Sequence, residues 1–296
     1  MQRATVNGVE LEYEITGEGE PVLLISMGPI TDCFLPFASQ RVLTDKYRLI
    51  MYHQRGQAGS THSAWPVTFA QHAADAGELL NFLGVRSAHV VGHSTGAAIG
   101  LQLALERPAV AHSLVLLEPP LPALPSAETF FDKAGPAVAA YELGNCGEAT
   151  ARFLSAASSL DWTTCRAVLD KHIPGGVEQA MEDADTFFSS YLPALNLWRF
   201  GDSEAASISQ PVLSVLGTDT EQGFADGHEL LHSWFPQIED CVIEDVGHLL
   251  QLQRPTPVAE GIAEFLARHP ITGPKQIKAE HDVRKQLDRS AAPAGR

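Results

Sequence analysis

The sequence predicts an α/β protein whose mostly parallel β-sheet is covered by helices on both faces. Short runs of aliphatic and β-branched residues alternate along the chain with segments whose apolar residues recur at helical spacing. The chain has 296 residues, enough for one large core and one inserted subdomain. We therefore expect a single α/β core rather than several small domains.

The predicted strands and helices follow from local patterns. The first two strands flank Asn7-Gly8, a dipeptide that favours hairpin turns, so we expect the sheet to begin with an antiparallel pair. The other strands are short apolar runs, predicted at residues 22–26, 47–52, 88–91, 113–117, 212–216 and 241–243. Helices are predicted from the spacing of their apolar residues at 68–83, 97–105 and 258–268.

Residues 121–210 interrupt this alternation, because they contain helical patches separated by prolines and glycines and no predicted strand. We interpret them as a helical cap, inserted between a first core part at 1–120 and a second core part at 211–270. A polar, charged tail at 271–296 is expected to be mobile and without a catalytic role. The insertion is rich in aromatic residues, and we expect most of them to pack its own small core.

Composition excludes several classes of function. The formal net charge of −16 argues against nucleic acid or an anionic membrane as a partner, because phosphate groups are bound by clustered Lys and Arg. No run approaches the ~20 apolar residues of a membrane helix. The four cysteines are scattered without a C-x-x-C pair, which is typical of a reducing compartment, so we predict a cytoplasmic protein.

The most informative segment is Gly92-His93-Ser94-Thr95-Gly96, which follows a predicted strand and leads into a predicted helix. A chain that passes directly from strand to helix must turn sharply, and flanking glycines remove the side chains that would collide there. The turn presents the serine hydroxyl at the carboxyl edge of the sheet, beside the first N–H groups of the helix. This pattern predicts a nucleophile elbow with Ser94 as the nucleophile.

Together with two other segments, this elbow resembles the α/β-hydrolase superfamily, in its capped esterase and lactonase type, over about residues 6–269. The superfamily's Asp-x-Arg-Gly-x-Gly-x-Ser loop is similar to residues 52–60, with His53 where aspartate is usual. Val246-Gly247-His248 resembles the segment that carries the catalytic histidine before the last helix. The resemblance implies an eight-stranded, mostly parallel sheet with a helical cap, His248 as the catalytic base and His93 as a packing residue.

The third member of the triad has two candidates. The superfamily often places its acid three residues after a glycine that ends the seventh strand, but threonine occupies that position here and Asp219 lies one residue earlier. Some capped relatives, such as haloalkane dehalogenases, carry the acid at the end of the sixth strand, where this chain has Glu118. We favour Glu118 because a carboxylate that ends an apolar run is costly to bury without a partner, and we keep Asp219 as the alternative.

Acyl transfer also requires N–H donors for the oxyanion. One is expected from the backbone of Thr95, and the other from the turn after the third strand, where Pro29 has no N–H. Gly28 is the preferred second donor and Met27 the fallback. We predict neither metal nor cofactor, because no Cys/His cluster with metal-ligand spacing and no Gly-rich nucleotide loop of the required kind is recognised.

These residues predict a serine hydrolase that cleaves a small-molecule carboxylic ester or lactone through an acyl-enzyme intermediate. A carbon–carbon bond hydrolase or an acyltransferase with the same triad is one alternative. A small-ligand receptor on the same fold is an alternative of another class, and sustained turnover distinguishes it from an enzyme. The sequence specifies neither the acyl group nor the oligomeric state.

Overall fold

The computed structural model describes residues 1–62 and 66–271 and contains an eight-stranded sheet. Its spatial order is β1-β2-β4-β3-β5-β6-β7-β8. The pairs β1–β2 and β2–β4 are antiparallel and the others are parallel. The strands are β1 (Gln2–Val6), β2 (Val9–Thr16), β3 (Glu20–Ile25), β4 (Tyr47–Tyr52), β5 (Ala88–His93), β6 (Ala111–Leu117), β7 (Val212–Gly217) and β8 (Glu239–Ile243).

The antiparallel start of the sheet is set by the turn between β1 and β2. Asn7 and Gly8 both have positive φ, 47° and 74°, as a two-residue hairpin turn of the favoured hand requires. The turn leaves Val6 paired with Val9. The hairpin predicted from the Asn-Gly dipeptide is therefore present.

The central strands bury both of their faces. In β3, Leu23 and Ile25 belong to one hydrophobic cluster, whereas Val22 and Leu24 belong to a second cluster on the opposite face. Because successive side chains of a strand point to opposite faces, this division places helices on both sides of the sheet. The first face is covered by α3 (Phe69–Phe82), α4 (Thr95–Glu106) and α12 (Gln222–Trp234), and the second by α1 (Leu35–Ala38), α2 (Arg41–Thr44), α13 (Leu250–Gln253) and α14 (Pro255–Arg268).

Between β6 and β7 the chain forms only helices. A π-helical turn (Phe187–Tyr191) lies within this series, and π-turns are frequent at functional sites. The α-helices are α5 (Pro125–Glu142), α6 (Cys146–Ser158), α7 (Trp162–His172), α8 (Gly176–Glu182), α9 (Ala184–Thr186), α10 (Leu192–Leu197) and α11 (Asp202–Ala205).

The predicted fold class is confirmed: a mostly parallel sheet with helices on both faces and a helical insertion. The proposed division at residues 120 and 210 stays a prediction. The tail predicted to be mobile lies outside the described residues apart from Ile271. Within residues 1–62 and 66–271, no helix combines the length and apolarity needed to cross a membrane.

Candidate active site

Ser94 lies at the sharp turn where β5 ends and α4 begins. Its φ of 54° and ψ of −124° are rare for a residue with a side chain, and this strained geometry is typical of a nucleophile elbow. The turn is held on both sides, because the Ser94 N–H donates to the carbonyl of Leu117 at 2.8 Å and its carbonyl accepts from the Ala97 N–H at 2.9 Å. The predicted nucleophile is thus fixed by backbone bonds to the neighbouring strand and the following helix.

The two glycines of the motif are required by close backbone approach. A Cβ atom on Gly92 would overlap the backbone of Gly96 and Ala97, and one on Gly96 would overlap the carbonyl of Ile25. These contacts let α4 begin directly against the end of β3. They explain in steric terms why the serine is flanked by glycine on both sides.

Glu118 directly follows β6, and its carboxylate contacts the predicted catalytic histidine. The Oε2 atom of Glu118 lies 2.7 Å from Nδ1 of His248, and both side chains are at most 1% exposed. Because Nδ1 faces the acid, Nε2 is the ring nitrogen that remains for proton transfer. Ser94 and His248 line the same small cavity.

Both oxygens of the Glu118 carboxylate accept hydrogen bonds. Its Oε1 accepts from the Gly217 N–H at 2.9 Å, and its Oε2 also accepts from the Thr220 hydroxyl at 2.9 Å. Thr220 occupies the position where the superfamily often carries its acid, and here it donates to Glu118 from the loop that follows β7. These bonds compensate for burying the carboxylate.

Asp219, the alternative acid, is exposed, and its carboxylate accepts a hydrogen bond from the Thr218 hydroxyl at 3.3 Å. Its backbone, rather than its side chain, faces the histidine loop, because the Asp219 N–H donates to the carbonyl of Val246 at 3.0 Å. Of the two candidates, it is therefore Glu118 whose carboxylate meets His248.

Two rings flank the His248 imidazole. Phe224 of α12 stacks on it, with ring centroids 4.0 Å apart and planes 9° from parallel, and His93 packs at 4.6 Å. Burial lowers the pKa of His93 well below its usual value, and the neighbouring His248 lowers it further. A neutral His93 does not repel an imidazolium that forms on His248, which fits the packing role that the resemblance implies.

The backbone N–H groups predicted as oxyanion donors differ in whether they already have an acceptor. The N–H of Gly28, the preferred second donor, donates to the Thr95 hydroxyl oxygen at 2.9 Å and so already has an acceptor. The N–H of Thr95 belongs to the first turn of α4, where backbone N–H groups have no acceptor within the helix. Met27, the fallback, is buried and lines the same cavity as Ser94, Gly28 and Thr95.

Two neighbouring cavities lie at the candidate site, and Ser94 lines the inner one. The inner one has a volume of about 20 Å³, room for about one water molecule. The outer one has a volume of about 170 Å³. The lining residues common to both are Pro120, Phe130, Leu195 and Phe224.

The helices between β6 and β7 roof the inner cavity. Phe187 of the π-helical turn lines it and lies close to Gly28. Tyr191 of the same turn donates its hydroxyl to Oε1 of Gln54 at 2.6 Å, and Nε2 of Gln54 donates to the carbonyl of Ser26 at 2.9 Å. Gln54 therefore ties the roof to the loop that carries Gly28.

The rest of the 52–60 loop is structural. Arg55 makes two 2.8 Å bonds to the buried carboxylate of Asp75. His53 lies between Asp32 at 3.1 Å and Glu12 at 3.2 Å. Burial lowers the pKa of His53, but hydrogen bonds and charge from these two carboxylates outweigh the burial and raise it.

Helix α12, which carries Phe224, was not among the predicted helices. The buried residues of this helix, Phe224, Gly227 and Leu231, recur three and four positions apart, and this helical spacing was the available signal. The same helix contains His228-Glu229-Leu230-Leu231-His232, an H-E-x-x-H pattern that the prediction of no metal overlooked.

Comparisons with known proteins agree with this architecture. A family model described as "alpha/beta hydrolase fold" matches residues 32–255. Over 118 residues the chain is 34% identical to "Putative carbamate hydrolase RutD" of Azorhizobium caulinodans, a match that covers 40% of this chain and 44% of that protein. The chain thus spans less than half the length of the first curated relatives that it matches. "Putative non-heme bromoperoxidase BpoC" of Mycobacterium tuberculosis is 27% identical over 279 residues, or 88% of this chain and 98% of that protein.

Solved structures show the same fold. The enol-lactonase from Burkholderia xenovorans LB400 superposes with a TM-score of 0.75 at 21% identity, covering 90% of this chain and 100% of that chain. A thermophilic esterase from Thermogutta terrifontis gives a TM-score of 0.76 at 22% identity, covering 91% and 100%. Because the family model covers well over half of the chain, the protein belongs to the α/β-hydrolase fold family.

Proposed function

We propose that the protein is a serine hydrolase that cleaves a carboxylic ester or lactone through an acyl-enzyme intermediate. The observation that carries this proposal is the strained elbow at Ser94, which shares a cavity with the buried His248–Glu118 pair. A nucleophile, a base and an orienting acid are the groups that acyl transfer needs.

In the first step, Oγ of Ser94 attacks the substrate carbonyl while Nε2 of His248 takes the hydroxyl proton. Glu118 holds the imidazole by Nδ1 and stabilises the imidazolium that forms. Collapse of the tetrahedral intermediate breaks the bond to the alcohol oxygen, which receives the proton from His248. Water then attacks the acyl-enzyme by the same proton path and regenerates Ser94.

We assign the oxyanion to the N–H and the hydroxyl of Thr95. The hydroxyl accepts a hydrogen bond from the Gly28 N–H at 2.9 Å, so its own proton is available for a further acceptor. Gly28 thereby polarises and orients this donor instead of contacting the oxyanion directly. Such donors act at the charge that develops during attack.

The cavities favour a substrate with an apolar group. The outer cavity, of about 170 Å³, is lined mostly by apolar side chains and is comparable with a 150 Å³ cavity that accepts benzene. The pair Lys133–Glu221, at 2.5 Å, lies at its edge and adds no net charge. We therefore place an acyl or alcohol group of about one ring in size in the outer cavity.

Turnover of a panel of esters, lactones and carbamate esters of graded size tests the proposal, with Ser94→Ala as the matched control. The carbamates are included because the RutD relative bears that name. We expect sustained turnover of at least one ester or lactone that is lost in Ser94→Ala. Cleavage that stops after one turnover would favour the receptor alternative, and equal rates in the two proteins would contradict the proposal.

A further inference from the structure

Helix α12 carries two histidines that face the same neighbour. His228 and His232 are four residues apart, a spacing that brings both side chains to one face of a helix, and their ring centroids are 4.8 Å apart. The intervening Glu229 is exposed. The H-E-x-x-H pattern here therefore presents two imidazoles together, as in metal sites built on one helix.

Asp240 of β8 supplies a carboxylate to the same point. Its Oδ1 lies 3.0 Å from Nε2 of His232 and 3.7 Å from Nε2 of His228. The three potential ligand atoms all lie within 4.8 Å of one another. Because α12 connects β7 to β8, the chain returns the carboxylate beneath the helix that carries the two imidazoles.

Two of the three ligand–ligand distances are close to those around a tetrahedral cation, and the third, between the imidazole nitrogens of His228 and His232, lies within 4.8 Å. Metal–ligand bonds of 2.0–2.1 Å at tetrahedral angles separate two ligand atoms by about 3.4 Å, and the observed 3.0 Å and 3.7 Å bracket that value. Two imidazoles and one carboxylate are a donor set suited to zinc and related transition metals, rather than to calcium or magnesium. Three protein ligands leave the fourth position to water.

We propose that His228, His232 and Asp240 form a binding site for a divalent transition-metal ion of the zinc class. This site lies on α12 and β8 and uses no member of the Ser94–His248–Glu118 group, so it does not depend on the proposed function. An ion held there ties the helix to the strand that follows it, and binding stabilises the folded state.

A buried hydroxyl sets the orientation of one ligand. Nδ1 of His228 lies 2.8 Å from Oγ of Ser214, a residue of β7 that is 2% exposed. When Nδ1 carries the proton, it donates a hydrogen bond to this oxygen and leaves the lone pair of Nε2 for the metal. Hydrogen-bond partners that are not themselves metal ligands commonly orient histidine ligands in this way. An ordinary hydrogen bond between His232 and Asp240 would require neither His228 nor this buried serine.

The site also adjoins the substrate cavity through its helix. Phe224, four residues before His228, stacks on His248 and lines both cavities. A metal that fixes α12 therefore steadies one wall of the candidate active site. This is a supporting role and places no metal at the reacting atoms.

Zinc binding by the full chain tests the proposal directly. Tag-free protein is treated with a chelator, dialysed against ZnCl₂ at neutral pH and analysed for bound zinc and for Tm. We expect one zinc ion per chain and a rise in Tm with added zinc. Both effects should be lost in His232→Gln and in Asp240→Asn, whose side chains are about two-fifths exposed and tolerate substitution.

Glu229→Gln is the matched control, because it alters the same helix and the same motif without touching the three proposed ligands. It should bind zinc and gain Tm as the wild type does. Visible absorption of bound Co²⁺ provides a second readout, since tetrahedral coordination gives a strong spectrum. Absence of zinc binding at micromolar free metal, unchanged binding in both ligand variants, or loss of binding in Glu229→Gln would overturn the proposal.

Discussion

Replacing Glu118 by its amide removes the group that orients His248. Glu118→Gln keeps the size of the side chain but leaves one oxygen and one NH₂ where the carboxylate has two acceptors. The present carboxylate accepts from Gly217 through Oε1, and from Thr220 and His248 through Oε2. No orientation of the amide satisfies all three of these donors.

Either orientation of the glutamine damages the site. With NH₂ in the place of Oε2, the amide donates to Nδ1 of His248, so the ring carries its proton on Nε2 and no longer accepts one from Ser94. With NH₂ in the place of Oε1, it faces the buried Gly217 N–H, and that donor loses its acceptor at a cost of about 1–3 kcal/mol. The first orientation avoids this clash, so we expect it to dominate.

The expected loss in kcat is about 10⁴-fold, the size known for an acid-to-amide change in a serine triad, which corresponds to about 5 kcal/mol of transition-state stabilisation. Asp219→Asn is the matched control, because Asp219 is exposed and its carboxylate accepts from Thr218. It should retain kcat within about threefold and change stability by about 0.5 kcal/mol at most.

Steady-state hydrolysis of a p-nitrophenyl ester gives kcat for both variants, and urea unfolding verifies that each is folded. If Asp219→Asn is the crippled variant and Glu118→Gln is nearly normal, the assignment of the acid is wrong. Equal losses in both would indicate one shared network around His248, which the double variant would reveal as non-additive.

Three further predictions concern the oxyanion site, the pH dependence of stability and the outer cavity. Thr95→Val removes the hydroxyl that accepts the hydrogen bond from the Gly28 N–H, and it should lower kcat roughly 10²-fold. Thr95→Ser keeps a hydroxyl and should keep kcat. Equal kcat values for the two variants would refute the role of the hydroxyl. Burial lowers the pKa of His72 to about 3 and that of His89 to about 4, whereas a histidine in the unfolded chain has a pKa of ~6.5. Below pH ~6.5 the unfolded chain therefore binds more protons than the folded protein. Urea unfolding should therefore show lower stability at pH 5 than at pH 7, by about 2 kcal/mol for each of the two, partly offset by His53 with its raised pKa; higher stability at pH 5 would contradict this. Phe130→Ala joins the two cavities and should raise the ratio of kcat/KM for bulky over small esters roughly tenfold, and an unchanged ratio would show that Phe130 does not limit the substrate.

Local patterns predicted the parts of the molecule that local geometry controls. The Asn7-Gly8 turn and the glycines around Ser94 are positions where backbone conformation or close approach admits few residue types, so their identity is visible in the sequence. The alternation of strands and helices also predicted the sheet and its two covered faces. The helical patches within residues 121–210 did not indicate where one helix gives way to the next, and the chain divides into α8, α9 and the π-helical turn between residues 176 and 191. The break falls at Asp183, whose carboxylate accepts from the N–H of Ala58, a contact that no local pattern contains.

The candidate site depended more on tertiary contacts. The choice between Glu118 and Asp219 could not be made from spacing, because it depends on donors from Gly217 and Thr220 that meet Glu118 only after β6 and β7 pair. The hydrogen bond from Gly28 to Thr95 joins two loops that are far apart in sequence. The overall fold is thus encoded largely in local pattern, whereas the roles of individual polar groups are fixed by packing.

Covalent labelling of Ser94 is the most direct measurement of the central claim. The full chain is incubated with a fluorophosphonate probe, digested and analysed by peptide mass spectrometry, with Ser94→Ala and unfolded wild-type protein as controls. We predict one adduct, located on Ser94, that is absent from both controls and forms much more slowly in Glu118→Gln. A folded wild-type protein that stays unlabelled, or that carries its adduct on another residue, would contradict the assignment of Ser94 as an activated nucleophile.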